Sequence, residues 1–134
     1  MASRLATVTL VVDDYDRAIG WYVDRLGFRT LADLDLGEGK RWVVVAPSTD
    51  RGARLLLARA EGPRQTAAIG NQTGGRVAFF LETDDFSRDH AAFSAAGVRF
   101  LEPPRHEPYG TVAVFEDLYG NRWDLIEPKQ EQEP

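Results

Sequence analysis

Apolar and polar residues alternate at the start of the chain and then change to a helical spacing. Residues 5–12 alternate and are rich in β-branched side chains, as in a half-buried strand. Asp13 or Asp14 can cap a following helix by accepting from its free N–H groups, and Gly27 supplies a stop. Between them four apolar residues form one helical stripe: Tyr15, Ile19, Tyr22 and Leu26.

The same kinds of pattern continue to residue 127. Turn-forming residues separate three further predicted strands, at 28–36, 40–46 and 53–60. Residues 62–75 are rich in small and turn-forming residues, which predicts a linker. A strand, a helix and three strands follow, at 76–83, 85–96, 98–102, 111–116 and 122–127. The polar tail, 128–134, is expected to fray.

Two segments of the chain resemble each other. DDYDRAIGWYVDRLGFRTL at 13–31 shares its acid pair, aromatic residue and arginine with DDFSRDHAAFSAAGVRFL at 84–101, and after a one-residue gap the glycine, arginine and leucine also match. The chain is therefore predicted to repeat the order βαβββ, as module one (4–61), a linker (62–75) and module two (76–127). Each module leaves an apolar sheet face open, so the modules should pair with each other or with a second chain.

Composition limits the class of protein. A chain of 134 residues with 43% hydrophobic residues is expected to form one folded domain, here 1–127. A formal charge of −5 argues against a nucleic-acid partner, and the absence of cysteine excludes disulfides and thiolate zinc sites. The apolar run at 5–12 is too short for a membrane span and lacks a basic leader, so we expect a cytoplasmic protein that binds no membrane.

The repeat carries a family resemblance. Segments 8–28 and 97–127, joined by the bridge 70–86, resemble the vicinal oxygen chelate superfamily, also called the glyoxalase, bleomycin-resistance and extradiol-dioxygenase superfamily. The resemblance implies an α+β fold in which each βαβββ module curls into a half-barrel of curved mixed sheet and two modules enclose a cavity. It does not imply one activity, because this fold hosts many.

The resemblance also implies where a metal would bind. Metal-using members place ligands on the first and last strands of each module, and the corresponding positions here are Thr7, Leu56, Ala78 and Asp124. Asp124 is the one candidate ligand of the family type among them, whereas a catalytic cation normally needs about three protein donors. We therefore expect no metal and no cofactor.

Strand alternation predicts the lining of a ligand cavity. It turns Thr7 and Thr9 toward the cavity in module one and Phe80 in module two, and it turns Asp124 away from Trp123 and Leu125. Trp42 and Tyr109 precede strand runs where they can close the ends. The predicted ligand-binding residues are Thr7, Thr9, Trp42, Leu56, Phe80, Tyr109 and Asp124. For Asp124, bonding to a strand hydroxyl or to Arg122 stays open beside ligand contact.

The two histidines have structural interpretations. His90 falls on the core-facing stripe of the second predicted helix, which favours a partly buried packing residue over a catalytic one. His106 lies in a charged, proline-rich stretch, which favours an exposed loop residue, with a place at the cavity mouth as the alternative. The glycine-rich segment 70–75 lacks the Lys-Ser/Thr ending of a phosphate loop and is predicted to be a turn.

These features favour a binding protein. Its expected partner is a small molecule, and it would be a homodimer of the bleomycin-resistance type that confers antibiotic resistance by sequestering a bulky aromatic or amphipathic natural product. The alternative is a glyoxalase-like or dioxygenase-like lyase, isomerase or oxygenase, with an atypical metal site or with acid–base chemistry on Asp124, Glu82 or His106. A protein–protein adaptor is the third possibility.

Overall fold

The computed structural model describes residues 2–129, which fold into an α+β structure with two mixed sheets, as predicted. Contacts divide the chain into two compact units, 1–72 and 73–134. The elements of unit 1 are β1 (Thr7–Val12), α1 (Tyr15–Leu26), β2 (Arg29–Gly37), β3 (Lys40–Ala46), β4 (Arg54–Arg59) and α2 (Gly62–Ala68). Those of unit 2 are β5 (Val77–Glu82), α3 (Phe86–Ala95), β6 (Arg99–Phe100), β7 (Arg105–Glu107), β8 (Gly110–Glu116) and β9 (Arg122–Pro128).

The sheet of unit 1 has the strand order β1-β4-β3-β2 and is open at both edges. β1 runs parallel to β4, and the other neighbours are antiparallel. Helix α1 contacts β2, β3 and β4. The Tyr15 hydroxyl accepts a hydrogen bond from the backbone N–H of Arg41 in β3. The core of this unit includes the buried residues Leu10, Val12, Ala18, Tyr22, Val43, Val45, Leu55 and Leu57.

Helix α1 begins and ends where the sequence predicts. The Asp14 carboxylate accepts from the backbone N–H of Arg17 at 2.8 Å, which satisfies one of the free donors of the first turn. Gly27 follows the last helical residue with φ +71°, a left-handed conformation that glycine adopts without a side-chain clash. The acid pair at 13–14 and the glycine at 27 were therefore correctly interpreted.

The sheet of unit 2 has the order β5-β9-β8-β6, with β7 also paired to β8. β5 is parallel to β9, and the remaining pairs are antiparallel. Helix α3 begins at a second aspartate cap, because the Asp85 carboxylate accepts from the backbone N–H of Arg88 at 3.0 Å. Phe93 of this helix packs edge-on against Phe115, which stacks on Trp123.

Module two differs from the prediction between residues 98 and 107. The predicted strand 98–102 is reduced to the two residues of β6, and β7 was not predicted. The carboxylate of Glu102 accepts from the backbone N–H of Val114 and so occupies a position that a strand carbonyl would take. Pro103 and Pro104 follow and have no N–H to donate, so the ladder cannot continue.

The predicted linker 62–75 contains the helix α2, which was also missed. Gln65 accepts from the backbone N–H of Glu61, and the Thr66 hydroxyl donates to the carbonyl of Gly62, so local polar bonds stabilise this turn-rich segment as a helix. None of its residues is buried, so it has no apolar stripe by which the sequence could reveal it. No helix within residues 2–129 is long and apolar enough to span a membrane.

The predicted polar tail is partly ordered. Pro128 ends β9, and the backbone N–H of Lys129 donates to the carbonyl of Tyr109 at 2.9 Å, so the fraying expected from residue 128 is wrong for these two residues. Residues 130–134 of that tail lie outside the described part of the chain.

Candidate functional site

One face of the unit 1 sheet lies opposite the face that carries Leu10, Leu57 and Val43, and we call it the α1-distal face; it includes the buried residue Val44. Strand pairing places Thr9 beside Leu56 and Leu56 beside Val44, so these side chains share a face. Trp42 follows the same alternation and is 44% exposed. Thr7 and Thr9 are exposed, whereas Leu56 is half-buried. The four predicted ligand residues of module one thus lie together on this face.

The corresponding surface of unit 2 is its α3-distal face. Phe80 in β5 is the register partner of Asp124 in β9. The preceding partners, Phe79 and Trp123, point to the opposite, α3-covered face, where their ring centroids are 4.6 Å apart. Val114 is the partner of Asp124 on the other side. The Phe80 side chain is 65% exposed, an unusual position for a large apolar ring in a central part of a strand.

Asp124 is the most unusual polar group on the α3-distal face. Its Oδ1 atom is buried and accepts no hydrogen bond from residues 2–129. Burial raises the pKa of the Asp124 carboxyl, the positive charge of Arg105 opposes that rise, and the negative charge of Glu102 adds to it. A buried acceptor without a partner costs about 1–3 kcal/mol, so this carboxyl is held at the expense of stability.

Arg105, whose positive charge acts on Asp124, is already paired with other carboxylates. Arg105 Nε donates to Glu102 at 2.9 Å, and Arg105 Nη1 donates to Glu107 at 2.9 Å. Arg105 also forms a side-chain hydrogen bond with Tyr109, and these three bonds raise the pKa of the guanidinium. Arg105 is therefore held in place by its own neighbours, and it influences Asp124 through its charge.

Tyr109 is positioned by the turn between β7 and β8. Its side chain is 54% exposed, and the next residue, Gly110, has φ +152°. A Cβ atom at residue 110 would lie 2.3 Å from the backbone oxygen of Glu127, so this position requires glycine. Phe80, Tyr109 and Asp124, the predicted ligand residues of module two, thus belong to one unit: Phe80 is the register partner of Asp124, and Arg105 bonds to Tyr109 and acts on Asp124 through its charge.

The side chains of residues 2–129 show no cluster that fits a metal ion. Within the described part of the chain, no three His, Asp or Glu side chains come together in a way that could hold a cation. The family resemblance implies a ligand position on the last strand of each module, Leu56 and Asp124. Leu56 lies beside Thr9 and Asp124 lies beside Phe80, and neither neighbour offers a strong metal donor. No chemical step is assigned to a metal in this protein.

Both histidines lie on the α3-covered side of unit 2. The His90 ring lies between two phenylalanine rings, with its centroid 5.4 Å from that of Phe86 and 4.2 Å from that of Phe100. His106 lies in β7 beside Thr111, and its Nδ1 is 3.3 Å from the Thr111 hydroxyl. The two histidines share a pocket of about 400 Å³ with Ser87, Thr111 and Glu127.

This pocket was not anticipated from the sequence. The stripe position of His90 correctly predicted its packing, but the convergence of the two histidines depends on β7, which was missed. His106 is exposed as expected but belongs to a strand. It shares a face with Thr111, and strand pairing puts Thr111 and Glu127 on the face opposite Asp124. His106 and Asp124 therefore do not form one acid–base pair.

Comparison with known proteins identifies the family. The profile of the Glyoxalase/Bleomycin resistance protein/Dioxygenase superfamily matches residues 4–125. This chain therefore belongs to that superfamily, which is the class of protein that the repeated fold defines. An uncharacterized protein from Shewanella frigidimarina (strain NCIMB 400) is 51% identical over 133 residues, covering 98% of each chain.

Two solved structures are similar over nearly the whole chain. The structure of UcmS2 has a TM-score of 0.81 and 31% sequence identity, covering 95% of this chain and 99% of that one. TnmS3, an antibiotic binding protein from Streptomyces sp. CB03234, has a TM-score of 0.76 and 30% identity, covering 96% of this chain and 98% of that one. The family and fold are thus established from both sequence and structure.

Proposed function

We propose that this protein binds a bulky aromatic or amphipathic small molecule and sequesters it without chemical change. The observation that carries the proposal is the α3-distal face, where the exposed ring of Phe80 lies beside the Asp124 carboxyl, whose Oδ1 accepts no hydrogen bond from residues 2–129. An exposed aromatic ring next to an unsatisfied polar atom provides both stacking area and an orienting hydrogen bond.

The similarity to TnmS3 supports the same interpretation. That protein is described as antibiotic binding, and it is similar to this chain along almost its full length. The scarcity of metal donors also favours binding over the metal-assisted reactions of the superfamily. Resistance would then follow by mass action, because each bound antibiotic molecule is removed from its target.

The test is a binding screen on the full chain. Purified protein is titrated with a panel of aromatic antibiotics while tryptophan fluorescence and thermal unfolding are followed, and each ligand is then recovered and weighed by mass spectrometry. We expect quenching with one ligand per site, a raised melting temperature and a ligand of unchanged mass. A panel that produces no quenching and no thermal shift would contradict the proposal.

A matched pair of variants locates the binding surface. Phe80→Ala removes an exposed ring from the α3-distal face, whereas Ser94→Ala changes an exposed residue of α3. We expect Phe80→Ala to weaken binding about tenfold, because stacking on one aromatic ring is worth roughly 1–1.5 kcal/mol, and Ser94→Ala to leave affinity unchanged. Equal affinities of the two variants would exclude Phe80 from the site.

We further propose that the protein is a cytoplasmic homodimer. The exposed apolar residues of the β2–β3 hairpin, Leu34, Leu36 and Trp42, support pairing with a second chain, because large exposed apolar patches commonly mark interfaces. Sedimentation equilibrium should give twice the mass of the chain. Fractionation of cells that express the protein should place it in the cytoplasm, and a mass equal to one chain would contradict the dimer.

One observation favours a second candidate function, an enzyme. The raised pKa of Asp124 is the kind of perturbation that prepares a carboxyl for acid–base catalysis as a lyase or isomerase. In that case a bound compound would be recovered with a changed structure, and Asp124→Asn would abolish the change while the compound still bound. Metal analysis of protein purified without chelator tests the version with an atypical metal, including an oxygenase.

A further inference from the structure

We propose that the small molecule bound at the α3-distal face is an aromatic compound that carries a positively charged amine, with its ring against Phe80 and its ammonium group against Asp124. This inference rests on the proposed binding function and adds the charge of the ligand to it. It follows from three features of the face: the exposed ring of Phe80, a carboxyl whose Oδ1 accepts no hydrogen bond from residues 2–129, and an arginine that is already paired with two other carboxylates.

The ring and the carboxyl are adjacent and point the same way. Phe80 and Asp124 are register partners in the parallel pair β5–β9, so their side chains lie on one face a single strand spacing apart. One molecule of ordinary drug size can therefore contact both. Asp124 is half-buried, and its buried Oδ1 receives no hydrogen bond from residues 2–129, so an ammonium group against the carboxyl would offset a negative charge that the protein's own donors leave incompletely compensated.

The arginine beside this carboxyl is not available to attract an anion. Arg105 is bonded to the carboxylates of Glu102 and Glu107, so its charge is offset within the protein. An anionic ligand would have to displace one of these carboxylates. A cationic ligand could bind at Asp124 while Glu102 and Glu107 stay paired with Arg105.

The remaining charges on the face favour a cation as well. Glu82 follows Phe80 by two residues in β5 and therefore lies on the same face. The bases on this face are Arg99, Arg105 and Arg122, and its acids include Glu82, Glu107, Glu116 and Asp124. Glu116 is the register partner of both Arg99 and Arg122 and forms its ion pair with Arg99. The α3-distal face thus has more acids than bases, and an ammonium group is the complementary partner.

The test compares two probes with the same ring system, one with a cationic amine and one with a neutral amide in its place. Daunorubicin has a fused aromatic ring system and an amino sugar, and N-acetyldaunorubicin has the same rings with the amine made neutral. Affinities of the full-length protein for both are measured by calorimetry. We expect daunorubicin to bind about tenfold more tightly or better, as is typical of a charge-assisted hydrogen bond compared with a neutral one.

Two variants make the test specific to the two groups. Asp124→Asn keeps the shape of the side chain and removes its charge, so the preference for the amine should fall to about twofold or less. Phe80→Ala should weaken both probes by a similar factor and preserve the preference. Thermal unfolding of Asp124→Asn serves as the folding control, and the variant should melt no lower than the parent because it no longer buries a charge.

The outcomes separate this inference from the proposed function. If both probes bind equally, or if Asp124→Asn keeps the full preference for the amine, the charge assignment is overturned while aromatic binding stands. Tighter binding of the acetylated probe overturns it in the same way. If neither probe binds and the antibiotic panel also fails, the proposed function and this inference fall together.

Discussion

The side-chain amide of Gln72 is hydrogen-bonded to the backbone of β1 at Val11, on the strand at the edge of the unit 1 sheet. Gln72 Oε1 accepts from the N–H of Val11 at 2.9 Å, and Gln72 Nε2 donates to the carbonyl of Thr9 at 2.9 Å. One carboxamide thus satisfies a donor and an acceptor on an edge strand in the way that another strand would. Thr9 is also a predicted ligand residue, so these two hydrogen bonds fix the backbone of β1 at one edge of the α1-distal face.

Replacing Gln72 by alanine should destabilise the protein. Two hydrogen bonds are lost, and the part-buried N–H of Val11 loses its partner, so we expect the free energy of unfolding to fall by about 1–2 kcal/mol. Urea denaturation measures this difference. The control is Asn71→Ala, at the exposed neighbouring position, which should change the free energy by less than about 0.5 kcal/mol. Equal effects of the two substitutions would exclude a special role for the Gln72 amide.

A buried polar pair fixes the turn between β8 and β9. Asp117 and Asn121 are 5% and 4% exposed, and the carboxylate of Asp117 accepts from the backbone N–H and the side-chain amide of Asn121, each at 2.9 Å. We expect Asn121→Ala to lower the free energy of unfolding by about 1–2 kcal/mol, because a hydrogen bond between two buried side chains is lost. A double-mutant cycle with Asp117→Ala should show strong coupling, and additive effects would contradict the interpretation.

The sequence predicted those parts of the fold that depend on local chemistry. Asp14 and Gly27 bound α1 because capping and left-handed turns need particular side chains within a few residues of the helix end. The orientation of Asp124 was also predictable, since Trp123 and Leu125 must both enter the core and alternation leaves the residue between them on the other face.

The environment of Asp124 was not predictable from the sequence. Arg105 acts on it from β7, a strand of three residues preceded by two prolines, and such a segment has no periodic signal. The sequence left open a bond from a strand hydroxyl or from Arg122, whereas in the structure no hydrogen bond from residues 2–129 reaches Oδ1. Which distant groups meet at one point depends on long-range strand pairing, which local spacing does not encode.

The ring of His90 should contribute to stability and not to ligand binding. It packs between Phe86 and Phe100 on the α3-covered side of the sheet, away from Phe80 and Asp124. We expect His90→Ala to lower the free energy of unfolding by about 1–2 kcal/mol through lost ring contacts. His90→Phe keeps an aromatic ring at this position and should retain most of the stability of the parent. Affinity for any aromatic antibiotic that the binding screen identifies should stay within about twofold of the parent. A large loss of affinity in the well-folded His90→Phe variant would contradict this assignment.

Acid should remove a stabilising contribution of Asp89 in α3. Burial alone raises the pKa of the Asp89 carboxyl, but hydrogen bonds from Arg88 and Thr83 outweigh it, so the pKa lies below its ordinary value. A lowered carboxyl pKa stabilises the folded state at a pH above the unfolded pKa of about 4, and this contribution is lost as the pH falls through the folded pKa. Asp89→Asn should therefore be less stable than the parent by about 1 kcal/mol at pH 7, and the two should converge below about pH 3.

Urea denaturation of the two proteins across this pH range measures the Asp89 effect. Asn71→Ala, which replaces an exposed side chain without an ionisable group, is the control and should change the free energy of unfolding by less than about 0.5 kcal/mol at pH 3 and at pH 7. Because the guanidinium of Arg88 also bonds to Asp84, part of its pairing survives in Asp89→Asn, which is why the expected loss is modest. A difference between the parent and Asp89→Asn that is the same at pH 3 and pH 7 would show that it does not come from the ionised carboxylate.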